Sequence, residues 1–137
     1  WIDSRDDAFP ATVPANVDWV MTDTPEAEVA TAPEGAYFLV MTHSHSTDEA
    51  LAERIVARGD FAYFGLIGSA SKRHQFEKRL EARGTPRSRL ASMTCPIGIA
   101  GIAGKEPGVI AIAVAAELLQ VRSRAVVNGV ATDRHRA

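Results

Sequence analysis

The chain has 137 residues and a formal net charge of −2, with 46% hydrophobic and 23% charged side chains. This is the composition of an ordinary globular domain, long enough to bury about two-thirds of the surface of its unfolded chain. The charge balance gives no overall attraction to nucleic acid or anionic lipid, so basic chemistry must be local, as at Lys72, Arg73, Lys78 and Arg79.

The single cysteine, Cys95, excludes an internal disulfide and suits a reducing cytoplasm. No charged-then-apolar leader opens the sequence, and the longest uncharged apolar run, Val109 to Ala116, is far short of the roughly 20 residues of a membrane span. A cytoplasmic protein with neither nucleic acid nor membrane as partner is expected. The start, Trp1-Ile2-Asp3-Ser4-Arg5, reads as the end of a strand and its polar loop and carries no initiator Met, which suggests a fragment.

In chain order, Val17 to Met21 is a short strand, and Thr22-Asp23-Thr24-Pro25 caps a weak helix through Ala30. Tyr37-Phe38-Leu39-Val40-Met41 is a continuous apolar run of the kind expected when both faces of a strand are covered. Thr47-Asp48-Glu49 supplies a cap and first-turn acids for a helix carrying Leu51 and Ile55, ended by Gly59. Phe61 to Ile67 is a buried strand, Gly68-Ser69-Ala70-Ser71 a turn, and Ser71 to Arg83 a helix with Phe76 and Leu80 on its inner side and Gly84 at its end. Met93 to Gly98 is a further strand running into a glycine-rich turn, and Pro107 starts a last helix, apolar on nearly every side. Such a helix must be covered on more than one face, by the sheet and by a neighbouring chain or domain.

The repeated strand-helix order implies a doubly wound α/β domain with a mostly parallel sheet in three αβα layers, in which ligands sit beyond the carboxyl ends of the strands. The loops after Asp3, Met41, Ile67 and Cys95 should therefore open on one edge. Asp3 stands where a dinucleotide-binding domain places the acid that holds ribose hydroxyls, with Arg5 able to meet a 2′-phosphate; the bland reading is a loop cap, and the glycine fingerprint is absent from the chain. His43-Ser44-His45 can place two imidazoles on one face of an extended segment, as hydrogen-bonding groups or metal ligands. Gly65, Gly68, Ser69, Lys72 and Arg73 combine a strand end, a glycine turn, a helix N-terminus and two cations, which suits a phosphate; the alternative is a capped helix with solvated basic residues. Cys95 reads as a small packed residue, a soft ligand or a sulfur carrier, and Gly98 permits close backbone approach.

Taken together, His43-Ser44-His45 with Asp48, Gly65-Leu66-Ile67-Gly68-Ser69 with Lys72-Arg73, Cys95-Pro96-Ile97-Gly98, and Gly104-Lys105-Glu106-Pro107 ending in Ala115-Ala116-Glu117-Leu118-Leu119 resemble the C-terminal Rossmann-like domain of the XdhC/CoxI family of xanthine dehydrogenase accessory proteins. The resemblance runs from Trp1 to about Arg122 and leaves residues 123–137 as a C-terminal tail. It implies a Rossmann-like domain lacking its first strand and glycine-rich turn. It further implies a maturation factor rather than a turnover enzyme, one that binds molybdenum cofactor (molybdopterin), works with a cysteine desulfurase and serves apo xanthine dehydrogenase or a related molybdenum hydroxylase. On that reading Gly68, Ser69, Lys72 and Arg73 hold the cofactor phosphate, His43 and His45 line the site, and Asp3 marks a ribose site. The rival is a fragment of an NAD(P)-dependent oxidoreductase, and the apolar last helix adds the expectation of a homodimer.

Overall fold

The computed structural model describes residues 1–133. In chain order it contains β1 (Ile2–Asp3), β2 (Val20–Met21), α1 (Pro25–Thr31), β3 (Tyr37–Val40), α2 (His45–Arg58), β4 (Tyr63–Leu66), α3 (Ala70–Ala82), α4 (Arg87–Leu90), β5 (Met93–Thr94) and α5 (Pro107–Asp133), with a 3-10 turn over Asp6–Ala8. All strand pairings are parallel, Ile2 opposite Val20, Tyr37 opposite Tyr63 and Gly65 opposite Thr94. The domain is thus the expected Rossmann-like α/β type.

The helix boundaries follow from their caps. Ser44, in extended backbone at φ −119° and ψ 121°, accepts the amide of Thr47 and so starts α2 three residues ahead of the expected cap Thr47. Gly59 ends the helix at φ +70°, donating its N–H to the Ile55 carbonyl. Ser69 does for α3 what Ser44 does for α2, accepting the amide of Lys72. Pro25 opens α1, where its missing N–H costs nothing. The loop expected between α3 and β5 contains the short α4, which buries Leu90. Helix α5 runs on to Asp133, so the segment read as a tail from residue 123 is helical as far as it is described.

One face of the sheet carries the core. Phe64, Leu66 and Val40 meet Leu51, Ile55 and Val56 of α2, Phe76 and Leu80 of α3, Leu90, Met93 and Cys95, with Val29 of α1 at the margin. The strand alternation turns Tyr63 and Gly65 to the other face, where Ile97 stands over Gly65, Tyr63 donates to Glu117 of α5, and Ala113 and Val114 of α5 are buried. This gives three layers. Contrary to the continuous apolar run of β3, only one of its faces is covered: Phe38 and Val40 point inward while Tyr37, Leu39 and Met41 are exposed.

The reason is that the sheet is interrupted. The strands form a pair, β1-β2, and a triplet, β3-β4-β5. In the doubly wound order 3-2-1-4-5-6, these correspond to the second and third strands and to the fourth, fifth and sixth. The central position falls between β1 and β3, and a cleft of about 620 Å³ occupies it, lined by Trp1, Ile2 and Asp3 on one side and Tyr37 to His43 on the other. The β1-β2 pair is held by the aromatic series Trp1, Phe9 and Trp19, with ring centroids 5.3 and 4.9 Å apart, and α1 is tied to α2 by Arg58, which donates to the Val29 carbonyl. Among the described residues no helix is long and apolar enough to cross a membrane.

The two faces of the sheet predict unequal costs of truncation. Phe64→Ala should lose about 3–5 kcal/mol by urea unfolding, as for a closed core site, whereas Tyr37→Ala should stay within about 1 kcal/mol. Equal losses would show that β3 is covered on both sides.

Candidate functional site

The parallel strands place the loops after β1, β3, β4 and β5 on one edge, as the alternation of strands and helices required. Polar bonds join the last three of these loops in series. Asp48, in the first turn of α2 and only 1% exposed, accepts the Thr42 amide at 3.1 Å and the Thr42 hydroxyl at 2.7 Å through Oδ1. Its Oδ2 accepts Lys72 Nζ at 2.9 Å, and Lys72 also donates to the Ile67 carbonyl at 3.1 Å. The β3 and β4 loops are thereby fastened by a buried ion pair. Arg73 donates Nη1 to the Cys95 carbonyl at 3.4 Å and Nε to Glu77 at 2.7 Å, linking α3 to the β5 loop. That loop is closed in turn by Glu117 of α5, whose Oε2 accepts both the Gly98 amide and the Tyr63 hydroxyl at 2.7 Å.

These contacts change the meaning of several residues singled out in the sequence. Lys72 and Arg73 are not free first-turn cations: each is already paired with a carboxylate, and Lys72 is 18% exposed. The anion-binding capacity at this end of α3 rests on the amides of Ala70 and Ser71, which have no intrahelical acceptor, and on the helix dipole. Gly68, at φ +157°, is needed because a Cβ there would stand 2.6 Å from Lys72 Cδ; the glycine lets the lysine chain cross to Asp48. Gly65 serves packing rather than close ligand approach, since a Cβ would meet the Tyr63 hydroxyl at 2.6 Å and Ile97 Cγ2 at 2.8 Å. Gly98, at φ +97°, brings its amide to Glu117.

His43 is exposed and lines the cleft beside Asp3 and Thr42, whereas His45 is the first residue of α2 and is not part of that lining. Between them Ser44 caps the helix. Asp3 ends β1 at the expected place, but Arg5 occupies both its oxygens, through Nε and the backbone amide on Oδ1 and Nη2 on Oδ2, at 3.0–3.1 Å. That fork holds the Asp3 carboxyl at about 2, below its ordinary 3.8. Cys95 is buried, with Sγ 3.9 Å from the Ser69 carbonyl, and burial pushes its thiol pKa up. A thiol so placed is a poor nucleophile or sulfur carrier. Among the described residues there is no cluster of three or more His, Cys, Asp or Glu side chains suited to a metal ion.

Three contributors escaped sequence reasoning in this role. Asp48 reads as a first-turn helix acid, and nothing local announces its partner 24 residues on. Thr42 is ordinary in a loop. Glu117 did leave a signal: it is the one acid in the stretch Val109 to Val121 of an apolar helix. Burial and the Glu117 carboxylate together raise the Tyr63 pKa, burial being the larger effect.

Replacing Lys72 with Met should cost about 3–5 kcal/mol, the range for leaving a buried charge without its partner, while Lys78→Met on the solvent side of α3 should stay within about 0.5 kcal/mol; urea midpoints of the two variants decide it, and near-equal values would mean that the ion pair does not hold the loops. The Asp3–Arg5 fork predicts a pH signature. Because the folded-state pKa lies below the unfolded one, its stabilisation is complete above about pH 4 and is lost as pH falls towards 2. Asp3→Asn should therefore be slightly less stable than the parent at about pH 6, and the gap should close near pH 2; a gap independent of pH would rule the fork out.

The chain matches the family described as XdhC Rossmann domain over residues 1–118. No curated protein matches it. Among solved structures it is similar to a protein described as a xanthine dehydrogenase from Bacillus halodurans, at 24% identity and a TM-score of 0.70 over 90% of this chain. At that identity the likeness speaks for the fold, and the chain spans 35% of the length of that protein. The match over 118 residues, taken with the parallel three-layer fold and the joined loops at its carboxyl edge, places the chain in the XdhC Rossmann domain family.

Proposed function

We propose that this domain is the cofactor-binding part of an accessory protein that carries molybdenum cofactor to apo xanthine dehydrogenase or a related molybdenum hydroxylase, in concert with a cysteine desulfurase, and that it performs no turnover of its own. The observation that carries the reading is the match to this family, in a chain whose carboxyl edge bears the exposed His43 after β3 and the N-terminus of α3 after β4. The donor set suits a phosphate-bearing pterin. Backbone amides of Ala70 and Ser71 at the positive end of α3 favour the phosphate, and His43 offers a hydrogen bond on the side of the cleft. The bound cofactor would supply molybdenum and its terminal sulfur to the recipient enzyme.

This chain's own residues would bind and orient. Lys72 takes no direct part in that reading: its charge is committed to Asp48, and its role is to hold the β4 loop against the β3 loop. Arg73, half engaged with Glu77, keeps the Cys95 loop close by. The buried Cys95 serves as packing rather than as a sulfur donor, which leaves sulfuration to the desulfurase.

One placement favours the rival oxidoreductase reading: Asp3 ends the strand that corresponds to the second of a dinucleotide-binding domain, where the ribose-binding acid stands. Its engagement by Arg5 argues against it, since ribose hydroxyls would have to displace a three-bond fork.

Calorimetric titration with released molybdenum cofactor, and separately with NAD(P), on the chain and on a form extended ahead of Trp1, tests the two readings. Ala70→Pro is tolerated at the first position of α3 but removes one amide. It and His43→Ala should each weaken molybdenum cofactor by about tenfold, equivalent to about 1.4 kcal/mol, with thermal stability little changed. Binding of NAD(P) alone, weakened by Asp3→Ala and untouched by Ala70→Pro, would replace this reading with the oxidoreductase.

A further inference from the structure

The chain crosses from β5 to α5 through a loop whose two halves are built differently. The first half is fastened. Arg73 of α3 donates to the Cys95 carbonyl, Cys95 Sγ stands 3.9 Å from the Ser69 carbonyl, the Gly98 amide donates to Glu117 at 2.7 Å, and the Ile99 amide donates to the Ala113 carbonyl at 3.2 Å. These bonds set the root of the loop against the start of α3 on one side and against α5 on the other. The second half is not fastened. From Ala100 to Lys105 every residue is exposed, and apart from the turn at Ala100 and Gly101 the segment makes no hydrogen bond to the rest of the domain among the described residues. Gly101 stands at φ +91° with open space where a Cβ would lie, so the backbone conformation, and not packing, requires glycine there. Gly104 closes the segment against the first turn of α5, where a Cβ would come within 2.9 Å of Val109 Cγ1.

Two side chains on this segment lack cover. Ile102 in its middle is 42% exposed. Lys105 at its outer end forms no ion pair among the described residues, unlike Lys72 and Arg73, which Asp48 and Glu77 hold. We infer that Ala100 to Lys105 is a lid over the carboxyl edge, open in the free protein and closed on the bound cofactor, with Ile102 covering the ligand and Lys105 meeting its phosphate. The inference rests on the cofactor-binding reading given above. Reach is sufficient: at no more than about 3.5 Å per residue, Ala100 to Lys105 trace about 20 Å, and the loop is rooted beside Ser69 at the head of α3. Energetics keep the lid open in the absence of ligand. Ordering its backbone costs more conformational entropy than burial of one isoleucine returns, and the charge-assisted bond from Lys105 to an anion tips the balance towards closure.

Proteolysis and calorimetry of the full chain, with released molybdenum cofactor as the probe, test the lid. The lysines of the chain are Lys72, Lys78 and Lys105, and the first two lie within α3, so an endoproteinase specific for lysine should cut the free protein after Lys105. Cofactor at about ten times its Kd should slow that cut about tenfold, because only unliganded chain then presents an open lid. Lys105→Ala should weaken the cofactor about tenfold with the urea midpoint unchanged. Ile102→Ser should weaken it less, and Lys78→Ala should leave it as it was. A free protein resistant at Lys105, a cut that cofactor does not slow, or a Lys105→Ala variant of parental affinity would each overturn the lid. If His43→Ala and Ala70→Pro still weakened the cofactor, such a result would leave the binding reading standing, whereas absence of any cofactor binding would remove both.

Discussion

The carboxyl edge of this domain is organised by one buried carboxylate. Asp48 lies almost wholly out of water and would be costly there alone. Its oxygens are satisfied by the Thr42 amide and hydroxyl and by the Lys72 ammonium, groups that belong to two different strand-to-helix loops. The pair matters less as a store of stability than as a register: two donors of Thr42 and one from the first turn of α3 can converge on one carboxylate in few arrangements. The further links follow from it in order. Lys72 fixes the first turn of α3, Arg73 in that turn reaches the Cys95 loop, and that loop is fastened to α5 by Glu117. A sequence of polar bonds therefore runs along the edge from β3 to the last helix, above a core that is apolar.

The glycines and the lysine have to be understood together in this light. A glycine turn followed by a lysine is readily taken for a phosphate cradle, yet Gly68 is required by the path of the lysine side chain, and the lysine charge is spent within the protein. Gly65, one strand face away, makes room for Tyr63 and Ile97. What the first turn of α3 leaves open to an anion is its backbone: the amides of Ala70 and Ser71, oriented by the helix dipole. In this division side chains build the frame and the main chain at the start of α3 keeps its donors open.

Much of the architecture was legible in the sequence because it depends on local signals. Apolar runs at Tyr37 and Tyr63, serine caps, Gly59 and Gly84 after helices, and the strand-helix rhythm all act within a few residues. Element ends were less legible: Ser44 rather than Thr47 caps α2, since the choice depends on the backbone angles Ser44 adopts after β3. The exposure of Tyr37 and Leu39 was hidden for another reason. An apolar run says that a strand can be covered on both faces, and only the sheet order says whether a neighbour is there. At the site, the pairing of the residues singled out was not legible. The Asp48–Lys72 bond spans 24 residues and the Tyr63–Glu117 bond 54, separations over which no periodicity carries information.

The open position between β1 and β3 has a consequence for the site. Among the described residues no strand stands between the two groups of strands, so the Asp3 corner and the His43 corner are joined through α1, α2 and the intervening chain rather than through a continuous ladder of backbone bonds. Any extended segment that seats in the cleft and pairs with both edges would act as a keystone. It would continue the ladder across the cleft and fix the distance between Asp3 and His43. By linkage, whatever binds across those corners would then also favour the seated strand, so that completing the sheet and receiving a ligand become two views of a single equilibrium.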